Sequence, residues 1–325
     1  MYIPYSRHGS KPQVFTADVH GIPEESVFSV CSRLSPEGIP ARAVEMYSSA
    51  AAALLLRPDT HWTQGAEIMQ SCENRPFSCQ RGQLTLRGHI FGSEESGKHA
   101  VILSHGFLAN EKTVHAYARA LAESGFVCIT FDFSGGGLGS RSDGRSENMT
   151  LLTEKEDLLA VIRSVRSSLK PSGISLLGCS QGGFVSALAA KELGKDEIRS
   201  LVLFYPALCI PDDARRGHMM IYRFDPQHIP DILGRIPMKL GGDYARTVIS
   251  MDPFEEICGY EGPVLLFHGT ADNIVDVAYS RRARTVYPDC TYHEIPGAGH
   301  GFTGEHDREA IRLLLNFLQP FLEKG

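Results

Sequence analysis

The chain has 325 residues, a formal net charge of −6 and a hydrophobic fraction of 42%. This balance is typical of a folded globular chain and excludes a broad basic surface for nucleic acid. No stretch approaches the roughly 18–20 consecutive apolar residues of a membrane span. The eight cysteines are dispersed, without CxxC or zinc-ligand spacing. We therefore expect reduced cysteines, no membrane segment and a cytoplasmic protein.

Residues 1–78 differ in pattern from the rest of the chain. Positions 23–34 and the alanine-rich stretch 40–56 show helical spacing, and we find no alternating run that indicates a strand. We predict a helical N-terminal extension over residues 1–78, followed by a second domain at residues 79–325.

From residue 80 onward, short apolar strands alternate with helices. The predicted strands lie at 83–91, 100–103, 126–131, 174–177, 201–204, 264–267 and 292–295. The predicted helices lie at 113–123, 154–169, 182–193 and 309–322. This alternation predicts an α/β fold in which a mostly parallel sheet is covered by helices on both faces.

A long insertion interrupts this alternation. Residues 206–262 separate two predicted strands and contain several prolines and a Gly241-Gly242 pair. Because structureless loops of this length are uncommon in compact domains, we interpret residues 207–259 as an inserted lid. We hypothesise that the N-terminal extension packs beside this lid or forms a homodimer contact.

The strongest motif is the stretch from Gly178 to Gly183, which reads Gly-Cys-Ser-Gln-Gly-Gly. It follows a predicted strand and opens a predicted helix, which is the setting of a G-x-S-x-G nucleophile elbow. The turn is so tight that Gly178 and Gly182 must lack side chains, and it presents the Ser180 hydroxyl clear of the sheet. The alternative is a plain strand-to-helix turn built from small residues.

A serine hydroxyl needs a positioned base, and behind this type of elbow the chain order is serine, acid, histidine. His300, just past the last predicted strand, is the predicted base. Asp272, after the preceding strand, is the predicted acid that fixes the imidazole tautomer. Asp276 is the alternative acid, although it is better placed to cap the next helix. Three other histidines fit the role of base less well: His268, His293 and His306.

Two backbone donors are needed to stabilise an oxyanion. We predict the N–H of Gln181 and the N–H of Phe107, which follows the strand at 100–103, while His105 shapes that loop. The glycine-rich stretch 134–139 lacks the spacing of a nucleotide-binding loop, so no cofactor is expected. We also predict no metal site, because no two histidines have ligand spacing within one element.

Together these motifs resemble the α/β-hydrolases and, within them, bacterial feruloyl (cinnamoyl) esterases. The resemblance covers roughly residues 80–320. It is carried by segments 105–107, 131–133, 142–144, 147–150, 178–183, 225–230, 268–272 and 297–300. It implies the α/β-hydrolase fold, the triad Ser180, Asp272 and His300, and the oxyanion donors Phe107 and Gln181.

The resemblance also implies that lid residues grip a phenolic hydroxyl of the substrate. By register these would be Asp213 and Tyr244, and Met220 stands where a lid glutamine is expected. Alternatively, Asp213 begins a helix and Tyr244 packs inside the lid. Cys179 replaces the usual histidine of the elbow, and the glycine-rich loop lacks the usual Gly-His-Gly. These departures leave the catalytic step intact but weaken the expectation of a hydroxycinnamate substrate.

We therefore predict a serine hydrolase that cleaves small-molecule carboxylic esters through an acyl-enzyme intermediate. Hydroxycinnamate esters and short-acyl esters are the candidate substrates, with no nucleic-acid or membrane partner. An aminopeptidase-like peptidase or a thioesterase would use the same triad, since leaving-group choice depends on pocket shape. A binding protein without turnover on the same scaffold is a more remote alternative.

Overall fold

The computed structural model describes residues 74–95 and 97–322. Most of the predicted helical extension lies outside the described residues, so the domain boundary at residue 79 stays a prediction. The described strands are β1 (Asn74–Arg81), β2 (Leu84–Phe91), β3 (Ala100–Ser104), β4 (Val127–Phe131), β5 (Ile174–Cys179), β6 (Ser200–Phe204), β7 (His218–Met219), β8 (Tyr222–Arg223), β9 (Ile232–Gly234), β10 (Leu240–Gly241), β11 (Val264–Gly269) and β12 (Cys290–Ile295).

The described α-helices are α1 (His115–Glu123), α2 (Leu151–Leu169), α3 (Gln181–Leu193), α4 (Ile210–Arg215), α5 (Asp243–Arg246), α6 (Pro253–Ile257), α7 (Val277–Ala283) and α8 (Gly304–Leu318). Short 3₁₀ turns lie at Glu111–Val114, Ser146–Asn148 and Gln319–Phe321. Helix α2 begins earlier than predicted because Thr150 and Thr153 form a reciprocal capping box at its N-terminus.

Eight strands form one sheet in the order β1-β2-β4-β3-β5-β6-β11-β12. The pairs from β4 through β12 are parallel, while β1 and β2 are antiparallel additions at one edge. This arrangement confirms the predicted mostly parallel sheet. The first strand corrects the prediction, since Asn74–Arg81 begins inside the range assigned to a helical extension. Only Phe77 and Cys79 are buried along this strand. The alternation of buried and exposed residues is therefore too short to indicate a strand from sequence.

Helices cover both faces of this sheet. Strands β3, β4, β5, β6 and β11 are buried along their whole length. On β3, Val101 and Leu103 pack in the same apolar cluster as α1 and α8, whereas Ala100 and Ile102 pack with α2 and α3. Alternate side chains of one strand therefore reach opposite helical layers, as a doubly covered parallel sheet requires.

Residues 207–259 are folded rather than looped. They contain three short helices, α4 to α6, and two small antiparallel pairs, β7 with β8 and β9 with β10. Leu240 and Tyr244 are buried in the same apolar cluster as α3. The segment thus packs on the helix that follows the elbow. Among the helices the structure describes, none has the length and apolarity needed to cross a bilayer.

Candidate active site

Ser180 lies in a strained turn between β5 and α3. Its φ of 53° is in the left-handed region that side chains rarely adopt. A Cβ on Gly178 would lie 2.2 Å from the Gly182 carbonyl oxygen, and a Cβ on Gly182 would lie 2.3 Å from that of His105. The two flanking glycines are therefore required by close backbone approach, as the motif indicates.

The structure brings Ser180, His300 and Asp272 into one hydrogen-bonded chain. His300 Nδ1 lies 2.8 Å from Asp272 Oδ2, and His300 Nε2 lies 2.9 Å from Ser180 Oγ. Because a carboxylate only accepts, Nδ1 carries the proton and Nε2 accepts from the serine hydroxyl. The three side chains follow the carboxyl ends of β5, β11 and β12, and these parallel strands place them at one edge of the sheet.

The Asp272 side chain is buried, and its carboxylate lies against four N–H donors. Its Oδ1 accepts from the N–H groups of Ile274 and Val275, both at 2.9 Å. Its Oδ2 accepts from His300 and lies 3.3 Å from His268 Nε2. Burial alone would raise the pKa of Asp272, but the hydrogen bonds from His268 and His300 outweigh it and lower the pKa. The carboxyl is therefore ionised at neutral pH.

His268 has a role that the sequence analysis missed. This fully buried side chain on β11 contacts Ser280 Oγ at 2.7 Å through Nδ1 and the Val275 carbonyl at 2.9 Å through Nε2. It thereby bridges α7 to the loop that carries Asp272. The alternative acid, Asp276, instead caps α7, with its carboxylate accepting from the Ala278 N–H at 2.8 Å.

The predicted oxyanion donors flank the serine. A Cβ on Gly106 would lie 3.1 Å from Ser180 Cβ, so the chain just before Phe107 passes directly over the elbow. Gln181 is the first residue of α3, where backbone N–H groups have no acceptor within the helix. His105 shapes the loop: its Nδ1–H donates to the Gly106 carbonyl at 2.8 Å, and its Nε2 accepts from the Phe133 N–H at 3.2 Å.

The three predicted lid contacts have different surroundings. The Tyr244 hydroxyl donates to Gln181 Oε1 in a short hydrogen bond, and its ring lies 5.7 Å from the Phe107 ring. Asp213 lies on α4 beside Cys209, where burial raises the pKa of its carboxyl. Met220 lies at the turn between β7 and β8. The structure therefore brings Tyr244 to the elbow, but it gives no such contact for the other two.

A second missed residue lies beneath Gln181. Glu154 on α2 is 1% exposed, and its Oε2 accepts from Gln181 Nε2 at 2.7 Å. Its position in the helical repeat could have revealed it. Glu154 lies between Leu151 and Leu158 on the apolar face of α2, where a carboxyl is unusual.

Cys179, next to the serine, is buried, and burial raises the pKa of its thiol to about 12. It is a packing residue, in agreement with the sequence analysis. None of the six cysteines in the described part of the chain forms a disulfide bond.

One group in the described part of the chain could hold a metal ion, and it is built from three separate elements. Glu111 lies 2.8 Å from His89 Nδ1 and 2.7 Å from His115 Nε2. An argument from spacing within one element does not detect such a cluster. However, Arg141 also lies 2.9 Å from the Glu111 carboxylate. A fixed guanidinium charge there opposes a second cation, so we interpret the group as an ion-pair cluster.

The chain is similar to known proteins in sequence and in fold. A family model described as serine aminopeptidase, S33, matches residues 95–245. The chain is similar to Est1E from Butyrivibrio proteoclasticus with ferulic acid bound, at 29% identity and a TM-score of 0.67, over 74% of this chain and 97% of that one. It is also similar to the esterase Pf2001 from Pyrococcus furiosus, at 21% identity and a TM-score of 0.57, over 77% of this chain and 93% of that one. No curated protein matches the chain.

A third similar structure is the α/β hydrolase GrgF from Penicillium sp. sh18, at 19% identity and a TM-score of 0.61, over 77% of this chain and 99% of that one. The Pf2001 and GrgF similarities concern the fold alone, whereas Est1E is nearer in sequence. The parallel sheet, the strained turn at Ser180 and these comparisons all indicate the same fold. The chain has the α/β-hydrolase fold and resembles feruloyl esterases.

Proposed function

We propose that the protein hydrolyses small-molecule carboxylic esters through an acyl-enzyme intermediate on Ser180. The observation that carries this proposal is the hydrogen-bonded chain from Asp272 through His300 to Ser180. A serine hydroxyl is a poor nucleophile unless a base is within hydrogen-bond reach, and here the base is itself oriented by an ionised acid. That combination suits acyl transfer and gives a structural reason for the strained turn.

In the proposed reaction, Ser180 Oγ attacks the ester carbonyl while His300 Nε2 takes the hydroxyl proton. Asp272 holds the proton on Nδ1 and stabilises the imidazolium that forms. The backbone N–H groups of Phe107 and Gln181 stabilise the negative charge on the carbonyl oxygen. His300 then protonates the leaving alcohol, and a water molecule repeats the sequence to release the acid.

Two classes of acyl group are candidates for the substrate. The neighbour Est1E binds ferulic acid, and Phe107 and Tyr244 offer aromatic surface beside the elbow here. However, the Tyr244 hydroxyl already donates a hydrogen bond to Gln181. It could therefore only accept a hydrogen bond from a phenol and could not donate one to it. We therefore propose a short-acyl ester as the better substrate, with a hydroxycinnamate ester as the second candidate.

The deciding experiment compares kcat/KM for p-nitrophenyl butyrate with kcat/KM for methyl ferulate, using Ser180→Ala as the blank. We expect turnover of the butyrate that exceeds that of the ferulate. Comparable or better turnover of methyl ferulate would reverse the order of the two acyl groups. Absence of both activities, together with no labelling of Ser180 by a fluorophosphonate, would refute the esterase proposal and favour a binding protein.

Peptide hydrolysis is a second candidate because the matching family model is described as serine aminopeptidase. The same hydrogen-bonded chain would serve, since an amide requires the same nucleophile and base. Aminoacyl p-nitroanilides test it directly: turnover of these substrates above turnover of p-nitrophenyl butyrate would make the protein a peptidase. We expect the esters to be preferred.

A further inference from the structure

A buried hydrogen-bonded chain connects α2, the elbow and residues 207–259. Glu154 Oε2 accepts from Gln181 Nε2 at 2.7 Å, and Gln181 Oε1 accepts from the Tyr244 hydroxyl. All three side chains are buried. Because Gln181 directly follows Ser180, its amide ties the turn that holds the proposed nucleophile to two segments that are distant in sequence.

The other oxygen of Glu154 has no hydrogen-bond partner in the described part of the protein. Unpaired buried polar atoms are rare and call for an explanation. This oxygen faces Gly136: a Cβ added there would lie 2.8 Å from Glu154 Oε1. The next residue, Gly137, packs on the backbone of Ala109, where an added Cβ would lie 1.5 Å from the carbonyl oxygen. Glu154 therefore also contacts the loop that supports the Phe107 segment.

The charge state of Glu154 fits this position. Burial raises the pKa of Glu154 well above its usual value, Asp157 adds to the increase, and the Gln181 hydrogen bond only partly opposes it. Arg81 is paired with Asp157 rather than with Glu154. A neutral carboxyl still accepts from Gln181 Nε2. It also avoids placing a buried negative charge beneath the position where the oxyanion develops.

We propose that Glu154 is a positioning residue that acts through Gln181. It orients the Gln181 amide, and thereby both the backbone N–H that follows Ser180 and the Tyr244 side chain. The inference rests on the esterase proposal, because it assigns a role in that reaction. Glu154 itself touches neither substrate nor reacting atoms.

The test measures kcat and KM for p-nitrophenyl butyrate in Glu154→Leu, Glu154→Gln, Tyr244→Phe and the Glu154→Leu/Tyr244→Phe double variant. We expect Glu154→Leu to lower kcat about tenfold with little change in KM, because an oxyanion donor acts in the transition state. Glu154→Gln keeps an acceptor for Gln181 and should stay within about threefold of the wild type. The double variant should lose less than the product of the two single losses.

Asp157→Asn is the matched control. Asp157 is also a buried carboxyl of α2, but it is bonded to Ser134 and Arg81 instead of Gln181. We expect this control to lower the melting temperature and leave kcat unchanged. If Glu154→Leu behaves in the same way, or if the effects of the two single variants multiply, Glu154 is only structural and the inference is wrong.

If Glu154→Leu does not fold, Gln181→Met interrupts the same chain at its middle while retaining the backbone N–H. An unchanged kcat in Gln181→Met would then overturn the inference. These outcomes are distinct from failure of the esterase proposal. In that case the wild type itself would turn over no ester and would not react with a fluorophosphonate at Ser180.

Discussion

Two carboxyl groups are buried on either side of the Ser180 turn, and they have opposite charge states. The Asp272 side chain is 0% exposed, and Glu154 is 1% exposed. Asp272 has a lowered pKa, whereas Glu154 has a raised one. The difference follows from the donors: Asp272 accepts from two backbone N–H groups and faces two imidazoles, while Glu154 accepts from a single amide.

Burial therefore does not decide the charge of a carboxyl in this protein. Hydrogen bonds to the charged form favour ionisation, and desolvation opposes it. Each state suits its position. An ionised Asp272 stabilises a protonated His300, whereas a neutral Glu154 accepts a hydrogen bond without repelling an oxyanion. The following predictions test that contrast, beginning with the nucleophile that lies between the two groups.

The largest effect is expected for Ser180→Ala. Removing the nucleophile should lower kcat for p-nitrophenyl butyrate by about 10⁶-fold, leaving only the residual rate from the oxyanion donors and binding. The matched control is Ser186→Ala in helix α3, which follows the Ser180 turn. It removes a buried hydroxyl that has no hydrogen-bond partner in the described part of the chain. The control should retain wild-type turnover. Comparable losses in the two variants would contradict the assignment of Ser180.

The next effect distinguishes the two carboxyls. Asp272→Asn should lower kcat by about 10⁴-fold, because an amide can stabilise the wrong imidazole tautomer and carries no charge. Glu154→Gln makes the same chemical change and should cost less than about threefold, since that carboxyl is already neutral. Steady-state kinetics on the two purified variants provides the measurement. Losses of similar size would show that the two groups do not differ in charge.

The contrast also shows how far sequence reasoning reaches. Short apolar strands and the Gly178 to Gly183 motif depend on near neighbours in the chain, so they predict the sheet, the helices and the residues that meet at its edge. The roles of Glu154 and His268, by contrast, depend on contacts between segments that are distant in sequence. A carboxyl on an apolar stripe signals that something pairs with it, but not which side chain. Likewise, β1 has too few buried positions to be predicted as a strand from its own sequence, before its pairing with β2 is known.

A smaller effect is expected from the histidine that supports Asp272. His268→Leu leaves the Val275 carbonyl and one Asp272 oxygen without their imidazole donor, so we expect kcat to fall about tenfold. His293→Gln is the matched control, because that imidazole lies on the adjacent strand β12 and stacks on Phe267. Its turnover should not change. If His268→Leu also keeps wild-type kcat, the additional donor to Asp272 has no part in positioning it.

The smallest effect concerns stability and its dependence on pH. Because the folded-state pKa of Glu154 is raised, the folded protein holds a proton that the unfolded chain releases above about pH 4.3. The free energy of unfolding of the wild type should therefore fall as pH rises from the unfolded-state pKa of Glu154 towards its folded-state pKa. The slope should be at most about 1.4 kcal/mol per pH unit. Glu154→Gln has no titrating group at this position. Its melting temperature should therefore rise relative to that of the wild type as pH increases from 5 to 8.

Asp272→Asn provides the opposite case for the same measurement. The folded-state pKa of Asp272 is lowered, so its contribution to stability is complete above the unfolded pKa and is lost only as pH falls below it. The carboxyl of Asp272 stays ionised throughout pH 5 to pH 8, so it adds no slope of its own to the stability difference between this variant and the wild type. Melting curves of the three proteins at pH 5, 6, 7 and 8 compare the two slopes directly. A flat Glu154→Gln difference would mean that Glu154 is ionised in the folded protein, and the contrast between the two carboxyls would not hold.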